Sequence, residues 1–383
     1  VNRTERTARL ATTSLVVLVG LAALTACVSR PPEAQVRFVV REDCAGAPRC
    51  FATIQAALDA AEGAQAEGWL RVDVAPGHYH EKVTLRRSKT RLHGSGAART
   101  FLRFDAVAET AGHYHRDHWG TAGSATLTID ADNVIVEGIT VENTFNYLSN
   151  DALAEGDPRK IANSQALALL VDKHSDRVLV QESTLLGYQD TLFADGKRVL
   201  VRRSVIAGNV DFIFGAGQLL IVDSTIRTRP RAAAFTPGEV QSIITAPSTP
   251  RAQAMGLVVY RSSLTREAGV PDGSVALGRP WHPTRNFPDG RYADPDAVGQ
   301  ASYIDCYMDG HIHREHWTSM PGTARDGTKT HVFMPQDARF FESGSRGPGA
   351  RHAEIGMRWD AALSVAEIER VLLRDWPEAG AAL

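Results

Sequence analysis

The chain has 383 residues, 43% of them hydrophobic, which is enough for one large domain or two ordinary ones with a sizeable core. Its 42 Lys and Arg stand against 44 Asp and Glu, for a formal net charge of -2. With no basic excess to neutralise phosphates, nucleic acid is not an expected partner.

The first residues read as an export signal. Arg3, Arg6 and Arg9 form a basic segment, and the apolar run from Ser14 to Leu24 is too short to span a bilayer comfortably. The sequence Leu24-Thr25-Ala26-Cys27 resembles a bacterial lipobox, which implies lipidation of Cys27 and a mature protein that begins there. Val28, rather than Asp, follows it, a pattern that implies outer-membrane sorting in Gram-negative bacteria. The expected division is a lipoprotein signal peptide at 1–27, a tether and opening strand at 28–49, and a single domain at 50–383. Cys44 and Cys50 close a short loop; in an oxidising compartment a disulfide is expected, two buried thiols being the alternative.

Val36 to Val40 gives the first strand signal. From Phe51 to Ala64, Ile54, Ala57, Leu58 and Ala61 recur at helical spacing, so a helix is expected at one end of the fold. Alternating strands follow at Leu70 to Leu85 and Thr90 to Gly96, broken by Pro-Gly and Gly-x-Gly turns. Periodicity lapses from Asp105 to Ser124, where His113, Tyr114, His115, Arg116, Asp117, His118 and Trp119 cluster. No Cys and no second cluster accompanies them, so a loop beside a cleft is expected rather than a metal site.

The chain then repeats itself. Ser183 to Asp190 (STLLGYQD) aligns with Ser204 to Asp211 (SVIAGNVD), 21 residues later, with Ser, Gly and Asp in common. A period near 20 with short apolar runs is that of a solenoid. The runs VIVEGITV, VLVQESTL, VLVRRSVI, LLIVDSTI and LVVYRSSL align Ile139, Ser183, Ser204, Ser224 and Ser262 at intervals of 44, 21, 20 and 38, with Cys306 another 44 on. Each interval fits one or two turns. The expected fold is all-β: a right-handed parallel β-helix, capped by the N-terminal helix, with a C-terminal helix packed on it. That last helix starts at the capping box Ser364 to Glu367, carries Ile368, Val371 and Leu372 on one stripe, and stops before Pro377. Cys306 is read as a small inward residue of the ladder.

Stacked strands lie about 4.8 Å apart, so the register puts Asp190 and Asp211 on adjacent rungs. Two carboxylates that close do not both ionise freely, which yields an acid and a nucleophile. A structural ladder of turn aspartates is the plainer account of the pair taken alone.

The pair is not alone. GYQDTLF, GNVDFIFG and LGRPW (Leu277 to Trp281) resemble the signature motifs of the pectinesterases, and APGHYHEKV, NSQALALLV and YMDGHI match in family order from about Phe51 to His316. The resemblance implies that Asp211 is the nucleophile on a galacturonate methyl ester and Asp190 the acid and then the base. Gln189 and Gln165 would donate to the oxyanion, and Arg279 would orient Asp211. Trp281, Phe212 and Tyr188 would present flat faces to sugar rings, while Phe214 is read as core. Phe193 stands where the family usually has Tyr, and ITAPSTP (Ile244 to Pro250) replaces an ITAQGR-like segment, removing a polar loop beside the cleft.

The reading implies pectin or an oligogalacturonide as partner, a membrane tether at Cys27, a monomer, and neither metal nor organic cofactor. The alternatives are an ester or thioester hydrolase of another substrate using the same Asp pair, a retaining glycoside hydrolase, and a non-catalytic polysaccharide-binding surface protein.

Overall fold

The structure is a computed structural model and describes residues 36–113, 120–351 and 362–380. The expected signal, Cys27 with the lipidation expected there, and residues 114–119 of the His-rich insertion lie outside the described residues.

Among the described residues, parallel strands form three long sheets of eleven, eight and seven strands, which the chain visits in rotation. The result is a parallel β-helix; its coil is right-handed, the sense that parallel crossover connections take. Val134–Glu137, Val178–Gln181, Val199–Arg202, Leu219–Val222, Leu257–Tyr260 and Gln300–Ile304 are successive neighbours in the eleven-stranded sheet. Every interval read from the sequence is therefore a single turn. The surplus residues are spent in excursions between the sheets, at 144–168, 229–241 and 279–299.

These strands are predominantly apolar because both of their faces are largely covered. Val136, Val180, Val201, Ile221, Val259 and Tyr303 stack inward in register, all essentially buried. Ile135, Leu179, Leu200, Leu220 and Val258 point the other way and pack with Ile368, Leu372 and Trp376 of the C-terminal segment. That segment begins at a complete capping box between Ser364 and Glu367, as expected, but is only one α turn, Val365–Ile368, before it widens into a π turn, Glu369–Leu373. The N-terminal helix, Ile54–Glu62, buries Ile54, Ala57, Leu58 and Ala61 against the first strands. Cys44 and Cys50 are joined in a disulfide.

The Ser ladder turns the corner from the eleven-stranded to the eight-stranded sheet. Each ladder residue follows one in the left-handed region: Glu182, Arg203, Asp223, Arg261 and Asp305 have φ between 45° and 51°. That kink leaves amides that the strand ladder does not satisfy, and the hydroxyls satisfy them. Ser204 Oγ accepts from Ser183 N–H at 3.2 Å and donates to Arg202 O at 2.9 Å. Ser224 and Ser262 repeat the arrangement one and two rungs on. Cys306 is buried in the same register with its thiol directed at Ile304 O.

Candidate active site

Both aspartates sit at the corner between the eight- and seven-stranded sheets. The chain turns sharply there because of the glycine four residues before each inward side chain. A Cβ on Gly187 would come within 2.6 Å of Thr191 Oγ1, and one on Gly208 within 2.3 Å of Phe212 Cβ. Asp190 and Asp211 then take φ of 65° and 49°, which swings the carboxylates outward while Thr191 and Phe212 turn in. Asp190 N–H donates to Val210 O at 3.0 Å, fixing the two turns on adjacent rungs.

Arg279 arrives from two rungs further along. Its strand, Val275–Gly278, pairs with Ser242–Pro247, which in turn pairs with Val210–Gly215. Arg279 N–H donates to Thr245 O at 3.0 Å and Trp281 N–H to Pro247 O at 3.2 Å, so the LGRPW segment is hung on that strand. The guanidinium meets Asp211 with two prongs, Nε to Oδ1 at 2.8 Å and Nη2 to Oδ2 at 2.5 Å. Such a fork holds a carboxylate in one plane. Among the described residues no side chain hydrogen-bonds the Asp190 carboxyl. Burial, then the charge of Asp211, pushes its pKa well above the ordinary carboxylate value, against the pull of Arg279. Asp190 is thus the proton-holding member of the pair.

Gln189 and Gln165 flank the aspartates. Ser164 Oγ donates to Gln189 Oε1 at 2.9 Å, which occupies the amide oxygen and leaves its NH2 for the pocket. Gln165 is placed by the insertion at 105–124: Ala108 N–H donates to Gln165 O at 2.9 Å, while Glu109 accepts from Ala162 and Asn163 N–H at 3.0 Å. A pocket of about 230 Å3 gathers Gln165, Gln189, Asp190, Asp211, Arg279 and Trp281, although they come from separate turns.

Residues 37–354 match the sequence profile of the family described as Pectinesterase. The chain belongs to the pectinesterase family. Pectinesterase A of Dickeya dadantii (strain 3937) is 40% identical over 303 residues, which is 78% of this chain and 81% of that protein. A pectin methylesterase crystallised with a hexasaccharide is similar with a TM-score of 0.80 at 36% identity, covering 90% of this chain and 98% of that one. The pectin methylesterase of Yersinia enterocolitica gives 0.75 at 38% identity over 83% of this chain and 96% of that one.

Two residues expected to meet sugar rings in this pectinesterase are placed elsewhere. Phe212 is fully buried in the core, because the left-handed turn at Asp211 sends that carboxylate outward and the next side chain inward. Tyr188 is half-buried beside the pocket, its ring taken up by Tyr147, stacked at 5.3 Å, and by the Arg229 guanidinium 3.9 Å above it. Trp281 does line the pocket, and it is joined there by Phe193 and Phe214. Those two rings stack at 4.3 Å, and Trp281 meets Phe214 edge-on at 5.5 Å.

Phe193 and Phe214 each lie three residues after an aspartate of the repeat, so the signal that would have placed them together was present in the alignment. Thr121 and Met320 also line the pocket, from the short helix Gly120–Gly123 and from a distant hairpin, and no sequence spacing announces them. Residues 244–247 of the ITAPSTP segment end the fully buried strand Ser242–Pro247, and Ala246 contributes to the pocket wall.

Proposed function

We propose that this chain hydrolyses the methyl esters of galacturonate units in pectin, releasing methanol, with Asp211 and Asp190 sharing the chemistry. The observation that carries the reading is the convergence of an Arg-clamped carboxylate, a buried protonated carboxyl and two amide side chains on one pocket.

Asp211 attacks the ester carbonyl carbon, and the charge that develops on the carbonyl oxygen is met by the amide NH2 groups of Gln189 and Gln165. The tetrahedral intermediate collapses with loss of methanol, whose oxygen takes the proton held by Asp190, leaving an anhydride with Asp211. Asp190, now a carboxylate, removes a proton from water as the water attacks that anhydride. The Asp211 carboxylate and a galacturonic acid carboxyl, which loses its proton to solvent, are released, and Asp190 is protonated again. Arg279 stays paired with Asp211 throughout and holds the attacking oxygen in line. The wall of Phe193, Phe214 and Trp281 is dry and apolar, suited to the methyl group and to a sugar face. One chain supplies every residue of the pocket, so a monomer suffices.

Methanol and reducing ends, measured together on highly methylated pectin, test the reading. Methanol without new reducing ends is expected. Chain cleavage would instead make the carboxylates those of a glycoside hydrolase.

We also infer export and lipid attachment at Cys27, supported by the basic, apolar and small-residue order of residues 3–27 and by the Cys44–Cys50 disulfide. Mass spectrometry of the membrane-extracted protein should find a lipidated N-terminal Cys, and Cys27→Ala should release the protein from membranes.

A further inference from the structure

The insertion at 105–124 leaves the eight-stranded sheet after Thr100–Phe104 and joins the seven-stranded sheet at Leu127–Ile129. Its two ends are drawn together by a side chain that belongs to neither. Asn143, 3% exposed at the end of the strand Thr140–Asn143, donates from Nδ2 to Ala106 O at 2.8 Å, to Ser124 O at 3.2 Å and to Leu167 O at 3.1 Å. Its Oδ1 accepts from Phe145 N–H at 3.0 Å. A primary amide has two N–H groups, so one hydrogen is shared between carbonyls and every polar atom of the side chain is used.

The register explains why an amide stands here. Glu142 pairs with Leu186 and Leu186 with Ala207, which puts Asn143 at the corner one rung before Gly187 and two before Gly208. On those later rungs the corner admits no side chain, since a Cβ on either glycine would collide with Thr191 Oγ1 or Phe212. One rung earlier three carbonyls converge on the corner, and a buried carbonyl needs a donor.

Gln165 depends on this node. Leu167, two residues on, has both backbone groups held: its carbonyl by Asn143 and by Thr126 N–H, and its N–H by Ser124 Oγ at 3.1 Å. Ser124 Oγ in turn donates to Thr121 O at 2.7 Å, and Thr121 lines the catalytic pocket with Gln165. Between them, Ala166 N–H donates to Gln189 O at 3.2 Å, which links the backbones of the two amide residues. The Gln165 side chain has no hold of its own. Among the described residues its Oε1 is buried and accepts no hydrogen bond, whereas Ser164 Oγ holds Gln189 Oε1. Where Gln165 points is therefore set by its backbone, and Asn143 fixes that backbone.

We propose that Asn143 is a positioning residue for catalysis: by closing the neck of the insertion onto the segment at 163–167, it places the Gln165 amide where the oxyanion develops. The inference rests on the pectinesterase reading, in which Gln165 is an oxyanion donor. Asn143 itself lies outside the lining of the catalytic pocket.

The test is a double-mutant cycle on methanol release from methylated pectin. Both kcat and KM are measured for wild type, Asn143→Ala, Gln165→Ala and the double variant, each checked for folding by circular dichroism. Loss of an oxyanion donor should lower kcat about a hundredfold in Gln165→Ala. Misplacing that donor should lower kcat about tenfold or more in Asn143→Ala, with KM near wild type. The double variant should match Gln165→Ala within about twofold, because a donor that is gone cannot be misplaced. The same cycle with Ser124→Ala, which removes a single hydroxyl, should show the same coupling with a smaller loss, and it decides the matter if Asn143→Ala does not fold. Losses that multiply in the double variant, or a wild-type kcat in folded Asn143→Ala, overturn the positioning role. A wild-type kcat in Gln165→Ala overturns it too, and removes Gln165 from the oxyanion site. No methanol from folded wild type overturns the pectinesterase reading itself, so the failures are separately visible.

Discussion

Arg279 and Asp211 lie 68 residues apart in the chain and meet in a two-pronged ion pair, with the Arg279 side chain 21% and the Asp211 side chain 10% exposed. A pair so placed depends on both partners: removing one leaves the other charged and largely out of water. Arg279→Ala is expected to destabilise the fold by about 3 kcal/mol by chemical denaturation and to abolish turnover. Arg279→Lys keeps the charge but loses the fork, so kcat should fall about a hundredfold with little change in the melting temperature. A kcat equal to wild type in Arg279→Lys would show that charge alone, not the fork, is needed.

In the proposed mechanism the Asp190 carboxyl carries a proton when methanol leaves. Methanol release should therefore decline as pH rises through its elevated pKa, and the upper limb of the pH–rate profile should vanish from a substrate whose leaving group needs no proton. Stability follows the same group. In the folded state Asp190 keeps a proton that the unfolded chain releases at an ordinary carboxylate pKa, so folding stability falls as pH rises between those two values. Asp190→Asn should be inactive yet more stable than wild type at neutral pH, with the gap closing in acid. Urea unfolding at several pH values checks the sign.

Ser164 touches no substrate in this account, but it fixes which way the Gln189 amide faces. Without the hydroxyl the amide can turn its oxygen to the oxyanion, where it repels. Ser164→Ala should lower kcat by about tenfold or more while KM stays near wild type, and Ser164→Thr should restore most of the rate. A matching loss of KM and kcat, or no rescue by Thr, would make Ser164 a packing residue.

Phe212 and Trp281 separate core from site. Phe212 has no exposed surface and Trp281 lines the pocket. Phe212→Ala should cost about 3–5 kcal/mol of stability. Trp281→Ala should raise KM for pectin and leave the melting temperature nearly unchanged. Thermal melts and Michaelis curves on the two variants decide it.

What the sequence made legible was whatever repeats. Ser183, Ser204, Ser224 and Ser262 recur because every rung must satisfy the same orphaned amide, so their alignment set the register, and the register set Asp190 over Asp211. The apolar runs were readable for a similar reason, since a strand covered on both faces cannot alternate. The buried place of Phe212 follows from the left-handed residue at Asp211, which turns the next side chain inward and which a motif resemblance does not announce. In the segment from Ile244 the hydroxyls serve buried carbonyls and amides, which the motif comparison did not announce: Thr245 Oγ1 donates to Leu277 O, and Thr249 Oγ1 accepts from Gln300 N–H. Met320 was beyond reach because its place in the pocket depends on how a loop folds back, not on the rung period.

The central claim is that Asp211 is the nucleophile, and methanol release from highly methylated pectin by purified wild type and Asp211→Ala tests it most directly. The account predicts release by wild type and a loss of about a thousandfold or more in the variant, with the parallel-sheet circular dichroism intact. A folded Asp211→Ala protein that still released methanol near the wild-type rate would contradict it.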